Sequence, residues 1–152
     1  MTKSIQQLFD LTGRTAIVTG GGTHLGTAFT EALCDLGANV YIASRRAELC
    51  EEVAERLRRR GMDVTAVGCD VTDESQVDAL VDRVMNENDR LDIAICNAGG
   101  SFTTSYPPNG DIDEFRRTLD LNLTGTYITA QSAGRAMIPA MRGSIITLGS
   151  IA

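Results

Sequence analysis

The chain has 152 residues, enough for one domain with a buried core, and its 43% hydrophobic and 22% charged residues are typical of a folded globular protein. A formal net charge of −6 argues against general affinity for nucleic acid or anionic membrane surfaces. No apolar stretch approaches the ~20 residues of a membrane span, and residues 1–9 lack the apolar core of a secretory signal, so we expect a cytoplasmic protein.

Short β-branched runs alternate along the chain with segments of helical period, a pattern that predicts a parallel sheet with crossover helices. We predict strands at 15–19, 39–43, 64–67, 91–96 and 145–148. Helices are predicted at about 24–36, 46–60 and 73–86, and from 111 or 113 to about 137 with a break near Gly125. Thr72 is the predicted N-cap of the third helix. The first helix is expected to pack through Leu25, Ala28, Phe29, Ala32, Leu33 and Leu36.

The four cysteines are not spaced as C-x-x-C pairs, so no metal or redox site is predicted from them. In a cytoplasmic protein we expect all of them to be reduced and mostly buried. They are Cys34, Cys50, Cys69 and Cys96.

A glycine-rich loop lies between the first strand and the first helix. Glycines let the backbone turn tightly and approach a pyrophosphate, and the following helix N-terminus offers free amides and a positive dipole. The strand–loop–helix context favours dinucleotide binding over a turn without a ligand. The residues predicted to contact the cofactor here are Gly20, Gly22, Thr23, His24, Leu25 and Gly26.

The second strand ends in Ser44, Arg45 and Arg46. An NAD-preferring site commonly has an acidic residue here for the ribose hydroxyls, and none is present. Arginine can instead grip a 2′-phosphate through charge-assisted hydrogen bonds, and a serine hydroxyl can add a donor. Because cations at a helix start oppose the dipole, a ligand is favoured over solvent for at least one arginine. This pattern predicts NADP(H) in preference to NAD(H).

The spacing T-G-x-x-x-x-x-G from Thr19 to Gly26 resembles that of the short-chain dehydrogenase/reductase family, which usually has glycine where His24 stands. At that position a non-glycine residue can present its amide provided φ is not positive. Further matches follow in the family's order, and they are Asp70-Val71, Asn97-Ala98-Gly99, Asn122 and Ser150.

The resemblance implies a role for each of these matches. It assigns Asp70 and Val71 to the adenine. It gives Asn97, Ala98 and Gly99 to the central sheet and the cofactor ribose, with Thr19 as the expected partner of Asn97. It makes the asparagine of the long helix, which we expect to be buried, the anchor of a proton-relay water, and it makes Ser150 the group that binds the substrate oxygen.

The fold implied by the resemblance is α/β, a Rossmann-type doubly wound parallel sheet of order 3-2-1-4-5. We expect residues 1–152 to form a single NAD(P)-binding domain, truncated after the fifth strand. Its activity would be hydride transfer between NADP(H) and a small-molecule carbonyl or secondary alcohol. The family also implies a homo-oligomer for the full-length form.

The Tyr-x-x-x-Lys pair that supplies proton transfer in the family is not found in the sequence. Its tyrosines are Tyr41, Tyr106 and Tyr127, none with a lysine four positions later, and its lysine is Lys3. We therefore expect this chain alone to be inactive, and the end of the sequence just after the fifth strand points the same way.

Alternatives remain open at this stage. They are a non-catalytic NADP-binding or redox-sensing module, a nucleoside-cofactor methyltransferase and a decayed gene product. The substrate is equally open, because the opening segment Leu8–Arg14 resembles gluconate 5-dehydrogenases, whereas 145–150 resembles 3-oxoacyl carrier-protein reductases just as well.

Overall fold

A five-stranded, fully parallel sheet forms the centre of the computed structural model, which describes residues 4–102 and 107–150 and leaves aside the side chain of Gln6. The strand order is β3-β2-β1-β4-β5, which confirms the order expected from the sequence. The strands are β1 Thr15–Thr19, β2 Asn39–Ser44, β3 Val64–Gly68, β4 Ile93–Cys96 and β5 Ser144–Thr147. The chain therefore reverses direction across the sheet between β1 and β4, the switch point at which open α/β sheets bind ligands.

The predicted crossover helices are present, each within a few residues of its expected bounds. They are α2 His24–Asp35, α3 Ala47–Arg58, α4 Glu74–Asn88, α5 Ile112–Leu119 and α6 Gly125–Met137. The expected break in the long helix is a π-helical turn over Asp120–Thr124. An additional short helix, α1 Ile5–Phe9, was not predicted from the sequence. It is stabilised by a capping box between Ser4 and Gln7.

Two apolar clusters lie on opposite faces of the sheet, so the molecule has three layers. Side chains alternate along β1, with Ile17 in one cluster and Val18 in the other. Helices α4 and α6 cover the face with Ile17, where the predicted stripe of α4 is buried as expected. Helices α2 and α3 cover the face with Val18, and Leu57 of α3 is fully buried there.

The predicted packing face of α2 is confirmed only in part. Phe29 and Leu33 pack against the buried cluster as predicted, whereas Leu25 is 59% exposed. The buried residues of the helix are Gly26, Thr30 and Cys34. The reason is the close approach of this helix to the glycine loop, where a Cβ at position 26 would lie 2.1 Å from the carbonyl oxygen of Gly20. Small residues are therefore needed where the helix packs against the loop.

Two predictions about polar residues on helices are wrong. The N-cap of α4 is Asp73, whose carboxylate accepts hydrogen bonds from the amides of Ser75 and Gln76, and not Thr72. Thr72 instead donates its amide and its hydroxyl to Asp70 Oδ1. Asn122, expected to be buried, is exposed at the π-helical turn.

No helix in the described ranges combines the length and apolar character needed to cross a bilayer.

Candidate functional site

Four loops that follow parallel strands meet at the carboxyl-terminal edge of the sheet and enclose a cleft. Most of the predicted cofactor-contacting residues line it, drawn from sequence positions as far apart as Gly20 and Gly99. Its location at the β1–β4 switch point is the one that the sheet order predicts for a ligand. Lining this first cleft are Gly20, Gly22, Thr23, Ser44, Arg45, Arg46, Cys69, Asp70, Val71, Ala98, Gly99 and Leu121.

The glycine loop leaves no room for side chains. Gly20 has a φ of +67°, a conformation that favours glycine, and its amide donates to the carbonyl of Ala43 at 2.7 Å. A Cβ on Gly22 would lie 3.0 Å from the backbone nitrogen of Cys50. These contacts show why the loop needs glycine and why its backbone forms one wall of the cleft.

Thr19 and Asn97 tie the loops after β1 and β4 together, as the sequence predicts. The Thr19 hydroxyl oxygen accepts hydrogen bonds from the amides of Asn97 and Ala98, both at 3.1 Å. The side-chain amide of Asn97 donates to the carbonyl of Thr19 at 2.9 Å. This network fixes the spacing between the two loops at the switch point of the sheet.

His24 begins α2 with a φ of +45°, in the left-handed region that non-glycine residues rarely adopt. A non-glycine residue at this position is expected to present its amide only if its φ is not positive. His24 does not meet that condition. Its side chain is exposed, and it is not among the described residues that line this first cleft or the adjoining second cleft beside Gly99 and Asn122. Leu25 lines that second cleft, whereas Gly26 lies beneath the loop.

Arg45 and Arg46 lie exposed at the turn between β2 and α3, and both line the first cleft. Neither makes an ion pair with a carboxylate of the described residues. Every other arginine does so, except Arg117, which lies over the ring of Phe102. The Ser44 hydroxyl donates to the carbonyl of Arg46 at 2.9 Å and so braces the same turn.

The starts of the two helices at this cleft differ from those of α1, α4 and α5. Helices α1, α4 and α5 each have a side-chain N-cap, from Ser4, Asp73 and Asp111. Helices α2 and α3 begin after Thr23 and Arg46, and neither residue caps its helix through a side chain. Their first backbone amides therefore retain hydrogen-bonding capacity beside the cleft.

Asp70 and Val71 form the wall contributed by the loop after β3. Asp70 Oδ1 accepts from both donors of Thr72, which holds the carboxylate in an Asx turn. Val71 packs against α6, where a Cβ on Gly125 would lie 2.7 Å from Val71 Cγ2. The glycine after the π-helical turn is thus what lets α6 approach this loop.

A second cleft adjoins the first, and Ala98 and Gly99 belong to both. The two predicted catalytic residues, Asn122 and Ser150, lie together in its lining, although 28 positions separate them in the chain. Asn122 clasps the loop after β4, since its amide nitrogen donates to the carbonyl of Gly100 at 2.6 Å and its Oδ1 accepts from the Gly100 amide at 3.1 Å.

Several lining residues were not predicted from the sequence. In the first cleft they are Cys69 and Leu121. Each immediately precedes a predicted residue. Their position next to segments that end at the carboxyl-terminal edge of the sheet is a signal that could have identified them. In the second cleft they are Gly100, Ser101, Thr118, Leu119, Leu148 and Gly149. The small residues among them flank motifs that the sequence does reveal, but Thr118 and Leu119 are placed only by the helix packing.

All four cysteines are free and buried, as expected. Burial raises the pKa of Cys34, Cys69 and Cys96 to about 11 and also raises that of Cys50. Such thiols are poor nucleophiles. Within the described ranges no three His, Cys, Asp or Glu side chains are grouped so that they could hold a metal ion.

The sequence from residue 14 to residue 152 matches the family model described as short chain dehydrogenase. The chain belongs to the short-chain dehydrogenase family. A galactitol 2-dehydrogenase of Rhizobium johnstonii is 39% identical over 97% of the chain, and the match spans 57% of that relative. The chain thus spans little more than half the length of the curated relatives it matches.

Solved structures of this family superpose closely on the chain. A short-chain type dehydrogenase/reductase from Mycobacterium marinum gives a TM-score of 0.93 at 36% identity, covering 98% of this chain and 60% of that one. A xylitol dehydrogenase described as bound to NAD⁺ gives 0.89 at 28% identity, covering 93% and 54%. These comparisons confirm the Rossmann-type fold inferred from the motifs.

Proposed function

We propose that the chain is the dinucleotide-binding part of an NADP(H)-dependent oxidoreductase that interconverts a carbonyl and a secondary alcohol. In this proposal residues 1–152 form one cofactor-binding domain. The remaining catalytic and substrate-binding groups come from sequence outside it. The related proteins are oxidoreductases, and the cofactor preference rests on this chain's own residues.

The observation that carries the cofactor proposal is the pair of arginines at the turn after β2, which have no carboxylate partner in the part of the chain that the structure describes. The cleft beside them also has two helix N-termini without side-chain caps, those of α2 and α3. Uncapped amides and free guanidinium groups both favour anions. A dinucleotide with a 2′-phosphate brings a pyrophosphate for α2 and a further phosphate for Arg45 and Arg46.

The cleft also fits the remaining parts of such a cofactor. Side chains at Gly20, Gly22 or Gly26 would collide with neighbouring groups, so the loop presents bare backbone as a pyrophosphate requires. Asp70 offers a carboxylate for an adenine amino group, and Val71 offers its amide. A bound nicotinamide cofactor would supply the hydride chemistry, and the protein would orient it.

In the second cleft we assign Ser150 to hydrogen bonding with the substrate oxygen and Asn122 to positioning. Asn122 holds Gly100 through two hydrogen bonds, and it thereby fixes the loop on which the reacting end of the cofactor would rest. No tyrosine of this sequence has a lysine four positions later. The proposal therefore assigns proton transfer to residues outside the 152, and it predicts that this chain alone lacks turnover.

A second candidate function is a non-catalytic NADP-binding or redox-sensing module. It would use the same first cleft but would have no need of Ser150 and Asn122 in the second cleft, which favours the enzyme. Oxidation of NADPH by the native-length protein with a panel of aldehydes and ketones separates the two. Sustained turnover supports the enzyme, whereas tight binding without turnover supports the module.

The remaining parts of the proposal are a small-molecule carbonyl or alcohol as substrate, a cytoplasmic location and a homo-oligomeric full-length form. The net charge of −6 favours neither nucleic acid nor an anionic membrane as a partner.

The experiment that tests the cofactor proposal compares dissociation constants for NADP⁺ and NAD⁺ by calorimetry in the purified protein and in Arg45→Ala. We expect the unmodified protein to bind NADP⁺ more tightly. Arg45→Ala should weaken NADP⁺ by about 10- to 100-fold, as for loss of a hydrogen bond to a charged group, and leave NAD⁺ affinity nearly unchanged.

Arg59→Ala is the matched control. It removes the same charge from the far end of α3, where Arg59 pairs with Glu55 at the exposed surface. It should leave both affinities as they are. Equal affinities for the two cofactors in the unmodified protein, or equal losses in both variants, would refute the assignment of Arg45.

A further inference from the structure

Cys50 lies directly behind the first cleft without lining it. It belongs to the first turns of α3 and is fully buried. Its thiol donates a hydrogen bond to the Ser44 hydroxyl oxygen, with 3.4 Å between sulfur and oxygen. The same sulfur lies next to Gly22 of the glycine loop. One buried side chain therefore lies between the glycine loop and the end of β2.

The contact continues into the turn that carries the two arginines. The Ser44 hydroxyl accepts a hydrogen bond from Cys50 and donates one to the carbonyl of Arg46 at 2.9 Å. The Ser44 hydroxyl is thus held by one donor and one acceptor, and its rotation is restricted. The chain of hydrogen bonds runs from the buried thiol through Ser44 to the backbone beside Arg45.

The sulfur also fits its surroundings tightly. A Cβ on Gly22 would lie 3.2 Å from Cys50 Sγ, so no side chain fits between the loop and the thiol without displacement. Removing the sulfur would leave a gap between the glycine loop and Ser44. Because the sulfur fills this space, the position of the glycine loop and the position of Ser44 depend on each other.

We propose that Cys50 is a positioning residue for recognition of the ribose 2′-phosphate, because its thiol fixes Ser44 and with it the Arg45–Arg46 turn. The inference rests on the proposed function and adds a residue that selects between the two dinucleotides without contacting either. A redox role is not favoured, since the thiol is fully buried and burial raises its pKa.

The test measures dissociation constants for NADP⁺ and NAD⁺ in Cys50→Ala, Cys50→Ser, Ser44→Ala and the double variant. Cys50→Ala should weaken NADP⁺ roughly three- to tenfold, as for loss of one neutral hydrogen bond, and NAD⁺ clearly less. Cys50→Ser keeps a donor and should restore most of the preference. The double variant should bind NADP⁺ no more weakly than Ser44→Ala, since Cys50 acts through Ser44.

Cys34→Ala is the matched control, because Cys34 is also buried but lies in the last turn of α2, away from the glycine loop. It should lower the melting temperature and leave the ratio of the two affinities unchanged. An unchanged ratio in Cys50→Ala, or additive losses in the double variant, would refute the inference alone. An unmodified protein that binds neither dinucleotide would refute the proposed function and the inference together.

Discussion

Charged side chains are paired with one another at one edge of the sheet, whereas the arginines of the cleft at the other edge are not paired with carboxylates of the described residues. At the amino-terminal edge, buried Asp92 accepts from the Thr15 amide at 3.0 Å and lies 3.0, 2.6 and 3.8 Å from Arg14, Arg90 and Arg142. At the carboxyl-terminal edge, the arginines of the cleft have no carboxylate partner among the described residues. Charges at the first edge are satisfied within the protein, whereas those at the second remain available to a ligand.

Backbone conformation does not separate the two edges. Positive φ occurs at Gly20 and His24 at the carboxyl-terminal edge, and also at Asp89 and Met141, which precede β4 and β5 at the amino-terminal edge. The difference between the edges is therefore one of charge. Carboxylates and arginines pair at one edge and stabilise the fold, while the arginines of the cleft at the other edge have no such partner among the described residues.

The largest effect is expected from Asp92→Asn, which removes the negative charge that three arginines share. We expect the free energy of unfolding to fall by about 2–3 kcal/mol, less than for a fully buried pair because the guanidinium groups are partly exposed. Urea titration measures this change. NADP⁺ affinity should stay the same, because the substitution is at the opposite edge.

Asp113→Asn is the control for that substitution. Its carboxylate pairs with Arg116 at the surface and is 78% exposed, so the loss should be below about 0.5 kcal/mol. A loss of similar size in both variants would contradict the distinction between the edges.

A smaller loss of folding stability is expected when the pH is lowered. Burial raises the pKa of Asp92, but hydrogen bonds from Arg90, the Thr15 amide and Arg14 outweigh it and hold this pKa well below its usual range. A carboxylate whose pKa is lower in the folded state than in the unfolded state stabilises the protein at pH values above the unfolded-state pKa. This contribution is lost progressively as the pH falls below about 4.

Urea titrations between neutral pH and about pH 3 check this expectation, because this range includes the ordinary aspartate pKa. The unmodified protein should lose stability more steeply than Asp92→Asn, so the difference between them narrows with acid. A constant difference across this range would show that Asp92 does not supply the acid sensitivity.

The smallest effect is expected from His24→Gly. Glycine relieves the positive φ but gains freedom in the unfolded chain, so stability should rise by about 0.5–1 kcal/mol. Thermal unfolding measures the gain. Glycine at Ala28, an exposed position of the same helix with ordinary helical conformation, should instead lower stability. A loss of stability in His24→Gly would mean that the side chain makes a stabilising contact.

The sequence predicts the sheet and its order because alternation of strands and helices constrains a parallel fold strongly. It predicts only part of the face of α2 that packs inward, namely Phe29 and Leu33. Hydrophobic periodicity points to Leu25 and Leu36, but the glycine loop requires the small residues Gly26 and Thr30 against it. The backbone contact between α2 and the glycine loop determines the packing here, and hydrophobic periodicity does not encode contacts between separate segments.

Motifs in the chain also predict most of the residues that line the two clefts, since Ser44 ends a strand and Asp70 and Gly99 each follow one. The connections between loops are harder to foresee. The contact of Cys50 with Ser44 depends on how α3 docks on the sheet, and the clasp of Asn122 on Gly100 depends on the π-helical turn. Both arise from tertiary packing across segments that the sequence treats separately.

Amide hydrogen exchange of the protein with and without saturating NADP⁺ tests the central claim most directly. The account predicts slower exchange in the loops at 20–26, 44–47, 70–72 and 97–100, which border the first cleft. It predicts unchanged exchange at the amino-terminal edge around Thr15, Asp92 and Arg142. No protection with NADP⁺, or protection confined to the amino-terminal edge, would contradict it.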